Sequence, residues 1–111
     1  MSFFQSDVVR AEMAEIHELQ EEIYSNVFKF PTMKREDKKY HVDILERLLE
    51  KQKVMYARLS LSDDPEAQEM KKRIVESASM MGLPSSLDMT SLFNNMSQAV
   101  EMMKQQIDKD L

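Results

Sequence analysis

The sequence predicts an all-α protein, and three observations support this. Helix-forming residues dominate the composition, with 32% charged residues, one Gly and three Pro among 111 residues. Apolar residues recur at three- and four-residue steps in four consecutive segments, which is the spacing of one helix face. No segment shows the two-residue alternation of a half-buried strand. We expect one domain over residues 1–111, a long antiparallel helical hairpin plus two further helices, at about 7–26, 33–60, 65–81 and 86–108.

The second segment, residues 32–61, predicts the longest helix, and the other helices are expected to pack against it. Pro31 precedes it, Thr32 is a suitable N-cap residue, and no Gly or Pro follows until Pro65. Its predicted apolar face is formed by Tyr40, Ile44, Leu45, Leu48, Leu49, Met55, Tyr56 and Leu59. Roughly 28 helical residues measure about 42 Å, whereas a compact chain of this length has a radius of gyration of about 13 Å. We therefore expect an elongated bundle, in which one of the other helices, or the same helix of a second copy, covers the far end of this helix.

The first segment is predicted to lie antiparallel to the long helix because the connection between them is short. Its near-heptad seam comprises Val9, Met13, Ile16, Ile23 and Val27. Four aromatic residues are expected to close the ends of this hairpin, namely Phe3, Phe4, Phe28 and Phe30. Residues 1–26 hold six acids and one base, and residues 27–60 hold nine bases and five acids. This asymmetry favours attraction between the two helices, or between two chains.

The third and fourth helices have their own start and stop signals. Asp64 is the expected N-cap of the third helix, with Pro65 at its first position and Gly82 as a left-handed C-cap. The fourth is expected to begin after Ser85 or near Asp88. Its predicted buried face consists of Leu92, Phe93, Met96, Val100, Met103 and Ile107. Six of the eleven Met fall in residues 80–103, which favours an adaptable core or a Met-lined surface for a partner.

Several kinds of chemistry have no support in the composition. The chain lacks Cys, and a single Gly cannot build a phosphate-binding loop. No apolar run approaches the roughly 20 residues of a membrane span. His17 with Glu21, and Asp37 with His41, are i,i+4 pairs that could share zinc if the hairpin aligned them, but ordinary surface or seam histidines explain them better. We expect a cytoplasmic, non-enzymatic protein that has no cofactor and does not bind a membrane.

Two basic clusters are the candidate partner-binding residues. They are Lys34, Arg35, Lys38 and Lys39 at the start of the long helix, and Lys71, Lys72 and Arg73 on the third. Clustered cations favour phosphate binding through counterion release. Glu36, Asp37 and Glu69 interrupt the clusters, however, and the net charge of the chain is −5. A solvated charged face is the better explanation of the two basic clusters, and nucleic-acid binding is the alternative.

The sequence also resembles a small family found chiefly in cyanobacteria and some of their phages, defined only as a domain of unknown function. The resemblance is carried by Phe3-Phe4-x-Ser6-x-Val8-Val9, by Arg35-x-x-Lys38-Lys39 and by Tyr56-x-Arg58-x-x-Leu61-Ser62-x-Asp64-x-x-Ala67, and more loosely by Phe93-x-x-Met96. It covers most of the chain and implies an intracellular helical protein. It implies no particular activity.

Heptad-like seams, an unusually long helix and Met-rich segments favour an interaction protein over an enzyme. Our leading hypothesis is a small regulatory or adaptor protein that docks on another protein, with homodimerisation through the long helix as one arrangement. One alternative is a nucleic-acid-associated regulator that uses the basic clusters. A second, permitted by the phage part of the resemblance, is a structural or assembly component of a virus particle.

Overall fold

Four α-helices account for most of the residues described by the computed structural model, which are 3–80 and 88–109. They are α1 (Asp7–Asn26), α2 (Arg35–Leu61), α3 (Pro65–Met80) and α4 (Met89–Lys109), with 3-10 turns at Phe3–Gln5 and Phe30–Thr32. No strand occurs in these two ranges. The all-α prediction is therefore confirmed.

Helix α2 lies at the centre of the bundle, with α1 and α4 each antiparallel to it. At one end of α2, Arg58 pairs with Glu12 near the start of α1, and Phe93 near the start of α4 lies 5.9 Å from the ring of Tyr56. Further toward the start of α2, Lys104 of α4 pairs with Glu46. The principal extents are 51 × 33 × 19 Å and the radius of gyration is 15.9 Å. The elongated shape expected from the length of the second helix is confirmed.

The apolar core consists of three clusters, and α2 contributes to each of them. One joins α2 to α4 through Val42, Leu49, Met89, Phe93, Val100 and Ile107. Another joins α1, α2 and α3 through Val9, Met55, Leu59 and Ala67. The last joins α1 to α2 through Leu19, Ile23, Ile44 and Leu48. Burial of these side chains supplies most of the stability of α2, since no isolated helix of this composition would persist in water.

Asp64 ties the start of α3 to the N-terminal turn. One of its carboxylate oxygens accepts a hydrogen bond from the main-chain N–H of Glu66 at 2.9 Å, as expected of an N-cap. The other accepts from the N–H of Phe3 at 2.5 Å. Both hydrogen bonds stabilise the charged carboxylate and so hold the pKa of Asp64 below its usual value. The bond from Phe3 has the larger effect.

The helix starts differ in detail from the sequence prediction. Thr32 is not the N-cap of the long helix, because it lies within a 3-10 turn and its hydroxyl donates to the carbonyl of Lys29 at 2.8 Å. Lys34 occupies the N-cap position instead. At the start of α4, the carboxylate of Asp88 accepts from the N–H of Thr90 at 3.2 Å, which fits the later of the two expected starts. The predicted C-cap at Gly82 lies outside the described residues.

Four residues expected in the core are exposed. Val27 and Phe28 are 44% and 94% exposed because they follow the last turn of α1, before α2 begins. Tyr40 is 59% exposed, since it lies at the edge of α2 with its hydroxyl bonded to Glu22. Met96 is 41% exposed, although its spacing from Phe93 and Val100 places it on the buried face of α4.

The Met-rich region is neither wholly core nor wholly surface. Met89 is buried and Met103 packs against the α2–α4 cluster. Met80, Met96 and Met102 are exposed. The core reading is confirmed for Met89 and Met103, whereas a Met-lined surface for a partner stays a prediction.

Candidate docking surface

The turn between α1 and α2 carries an exposed apolar patch with two lysines beside it, which we call the hairpin tip (Tyr24, Val27, Phe28, Lys29 and Lys34). Tyr24 is 69% exposed and Phe28 94%. Val27 retains helical dihedral angles at the end of α1. Residues three and four apart on a helix are neighbours, so the three apolar side chains form one continuous surface.

The local fold of the turn explains why Phe28 faces solvent while Phe30 does not. Hydrogen bonds from the N–H of Lys29 to the carbonyl of Asn26, and from Met33 to Phe30, reverse the chain within a few residues. The ring of Phe30 lies 5.2 Å from that of the buried His41 and packs against the α2–α4 cluster. Phe30 therefore fills the inner side of the turn, and Phe28 is left outside.

A groove of about 530 Å³ adjoins the hairpin tip. It is lined by Glu22, Asn26, Lys29, Thr32, Met33, Lys34, Asp37, Tyr40, His41 and Ile44. The hydroxyl of Tyr40 is hydrogen-bonded to Glu22, and the bond together with the negative charge raises the pKa of the tyrosine because both disfavour the phenolate. The groove is lined by both acidic and basic side chains, so it does not favour a ligand of either charge.

The hairpin tip belongs to the most basic part of the chain. Residues 27–40 hold five bases and two acids, for a net charge of +3, within a chain of net charge −5. Lys29 and Lys34 are both exposed. An apolar surface edged by lysines attracts a partner that has both an apolar pocket and carboxylates around it.

The first predicted basic cluster is largely engaged within the molecule. Arg35 donates from Nε to the main-chain carbonyl of Ile107 at 3.3 Å, and so caps the last turn of α4. Its guanidinium and the Lys39 ammonium approach the carboxylate of Asp108 at 3.8 and 3.1 Å. The ammonium of Lys38 lies 5.7 Å from the ring centre of Phe30. Only Lys34 of this cluster contributes to the hairpin tip.

The second predicted cluster lies elsewhere and is not joined to the first. The Lys71 ammonium is 5.9 Å from the ring centre of Tyr56, and Arg73 pairs with Glu69 at 3.7 Å. Lys72 is exposed. Since Tyr56 follows Arg35 by 21 residues of one helix, the two clusters are separated by about 30 Å. The fold does not bring them together into one binding face.

The histidines do not share a site. His17 pairs with Glu21 at 3.0 Å on the exposed side of α1, while His41 is buried beneath the turn. Within residues 3–80 and 88–109, no three His, Asp or Glu side chains are grouped so that they could hold a metal ion. None of the helices in these ranges has the length and apolar character needed to span a membrane.

The hairpin tip was not predicted from the sequence. Phe28 was expected to close the hairpin together with Phe30. A signal was available in the segment Phe28-Lys29-Phe30-Pro31, because Pro favours a turn and connecting segments usually run over the protein surface. Which of the two faces inward depends on where α4 ends, and that is a tertiary property.

These features define an elongated all-α protein that presents an apolar, lysine-edged tip on its described surface. The chain belongs to the family described as Domain of unknown function (DUF1825), whose model matches residues 1–107. This agrees with the resemblance to a domain of unknown function. Neither a curated protein nor a solved structure matches the chain.

Proposed function

We propose that this chain is a non-enzymatic, cytoplasmic interaction protein that docks on another protein through the hairpin tip, in a small regulatory or adaptor role. The exposure of Phe28, at 94%, carries the proposal. Burying a Phe side chain contributes about 1.5–3 kcal/mol, and buried aromatic anchors dominate many protein interfaces. Tyr24 and Val27 extend the same surface, so a partner would cover three apolar side chains at once.

The state of the charged residues supports protein docking over nucleic-acid binding. A nucleic-acid regulator would use both basic clusters, yet Arg35, Lys39 and Arg73 are paired with carboxylates. The two clusters also lie on separate parts of the molecule. A role in virus assembly, the remaining alternative, has no specific feature of the described surface in its favour.

Site-specific photo-crosslinking in the native host tests the proposal. A photoreactive phenylalanine analogue at position 28 should yield a discrete crosslinked protein, whereas the same analogue at Met102, which is 69% exposed on α4, should not. The variant Phe28→Ser should lose affinity capture of that protein, and Met102→Ser should retain it. Equal capture by both variants would contradict docking through the hairpin tip.

A further inference from the structure

His41 is the only polar or charged side chain buried within residues 3–80 and 88–109, at 8% exposed. Its ring contacts that of Phe30. No hydrogen bond or ion pair joins its nitrogens to another residue of these ranges. A buried polar group without a partner costs stability, so this histidine calls for an explanation.

The groove beside the hairpin tip provides an explanation, because His41 lines it. In the described ranges, Glu12 Oε2 is the one side-chain nitrogen or oxygen that is both shielded from solvent and unbonded. The nitrogens of His41 are therefore accessible, and the groove is the space that His41 borders. Its volume of about 530 Å³ lies within the range of small-molecule sites, about 300–1,000 Å³. A neutral imidazole offers such a molecule one donor and one acceptor.

Positive charge enters the groove at the start of α2. Lys34 occupies the N-cap position without a side-chain hydrogen bond, so the first N–H groups of this long helix have no side-chain cap. Lys29 and Lys34 line the groove, and neither forms an ion pair within the described ranges. A helix N-terminus flanked by two ammonium groups favours a carboxylate.

Negative charge enters the same groove from two sides. Asp37 lies one turn before His41 on the same face of α2 and forms no ion pair with a described residue. Glu22 lines the groove from α1 and is hydrogen-bonded to the Tyr40 hydroxyl. A carboxylate has about four acceptor positions, so Glu22 can accept a further bond. An anion would meet these carboxylates and a cation would meet the lysines, whereas a ligand with both charges is attracted by both.

We propose that the groove binds a small zwitterion of the α-amino-acid class. The ligand carboxylate faces Lys34 and the start of α2, and its ammonium group faces Asp37 and Glu22. His41 hydrogen-bonds to the ligand, and Ile44 provides an apolar contact for its side chain. This site goes beyond the proposed function, because the exposed apolar side chains of the hairpin tip take no part in it.

Nuclear magnetic resonance of the histidine side chains, with L-leucine as the probe, tests the proposal. The chain has two histidines, and His17 serves as the internal reference because it lies on the exposed side of α1, paired with Glu21. L-Leucine added to the full chain at fixed pH should shift the imidazole signals of His41 and leave those of His17 in place. A ligand of about nine non-hydrogen atoms should have a Kd on the order of 1 mM.

Two analogues of leucine separate the contributions of its charges. The anion 4-methylpentanoate lacks the ammonium group, and the cation 3-methylbutylamine lacks the carboxylate. Each should bind at least about tenfold more weakly than leucine, since each loses hydrogen bonds to charged groups.

Asp37 and Glu36 offer a matched pair of variants. Both are exposed acids in the first turn of α2, but only Asp37 lines the groove. Asp37→Asn should weaken leucine binding by about threefold, the effect of one exposed charge pair, and should leave the binding of 4-methylpentanoate unchanged. Glu36→Gln removes the same charge from the helix start and should bind leucine as the wild type does.

Any of four results would overturn the inference. They are the absence of a His41 shift up to about 20 mM leucine, equal shifts of both histidines, 4-methylpentanoate binding as tightly as leucine, and equal leucine affinity of the Asp37→Asn and Glu36→Gln variants. None of them bears on docking through the hairpin tip, which the crosslinking at position 28 tests separately.

Discussion

Leu59 and Leu61 offer a matched test of what stabilises this fold, because they are the same residue type, two positions apart on α2. Leu59 is fully buried, with 0% of its surface exposed, whereas Leu61 is 86% exposed. Leu59 packs with Val9, Met55 and Ala67, so it joins three helices. The substitutions Leu59→Ala and Leu61→Ala remove the same atoms from these two environments.

The expected magnitudes follow from burial. Truncating a fully buried Leu to Ala costs about 3 kcal/mol, through lost transfer free energy and the cavity left behind. Typical domains are stable by about 5–15 kcal/mol, so this loss is a large fraction of the total. With an unfolding entropy of about 2.1 cal/mol/K per residue, and 111 residues, Leu59→Ala should lower the Tm by about 13 °C. Leu61→Ala should change the free energy of unfolding by less than about 0.5 kcal/mol.

Urea denaturation measures the free energy of unfolding of both variants, and thermal denaturation measures the Tm. Both can be followed by circular dichroism at the helix band, because the chain contains no Trp and is rich in helix. If Leu59→Ala cost less than about 1 kcal/mol, the expected truncation cost would not apply, and Leu59 would not lie in a packed core. Equal losses of stability for the two variants would refute the assignment of Leu59 to the buried face of α2 and of Leu61 to the exposed face.

Two further predictions concern the ends of the bundle. The pKa of Asp64 is lowered in the folded state, chiefly by the hydrogen bond from the Phe3 N–H. The contribution of Asp64 to stability is therefore present above the unfolded pKa of 3.8 and is lost as pH falls through the folded pKa. Asp64→Asn should flatten the acid part of a stability–pH curve measured by circular dichroism, and an unchanged curve would exclude this bond as a source of stability. Arg35→Met should remove the hydrogen bond to the Ile107 carbonyl and the pairing with Asp108, at a cost of about 1 kcal/mol in the free energy of unfolding. Amide hydrogen exchange should become faster in the last turn of α4 and stay unchanged in α1. Uniform acceleration in both helices would contradict this local role.

The hairpin tip lies outside the packed core of the chain. In that core, α1, α3 and α4 each contact α2. The tip extends beyond these clusters, so substitutions there should leave stability unchanged. The effect of a Phe28 substitution on the proposed docking can thus be separated from an effect on folding.

Local physical chemistry in the sequence determined the helices themselves. The apolar repeat of α2, the Asp64-Pro65 start of α3 and the absence of Gly and Pro from 32–61 fix backbone conformation within a few residues, and these features had the expected structural result. The elongated shape followed from the length of α2 alone.

The tertiary structure decided which side chains each helix leaves uncovered. Phe28 and Phe30 have the same chemistry and adjoin the same turn, yet only Phe30 contacts the α2–α4 cluster. Arg35 and Lys34 are neighbours in a basic run, but the end of α4 reaches only Arg35. A periodic pattern shows that a face can be buried, whereas burial itself depends on where a partner helix begins and ends. That endpoint is set by packing between distant segments, which the local pattern does not contain.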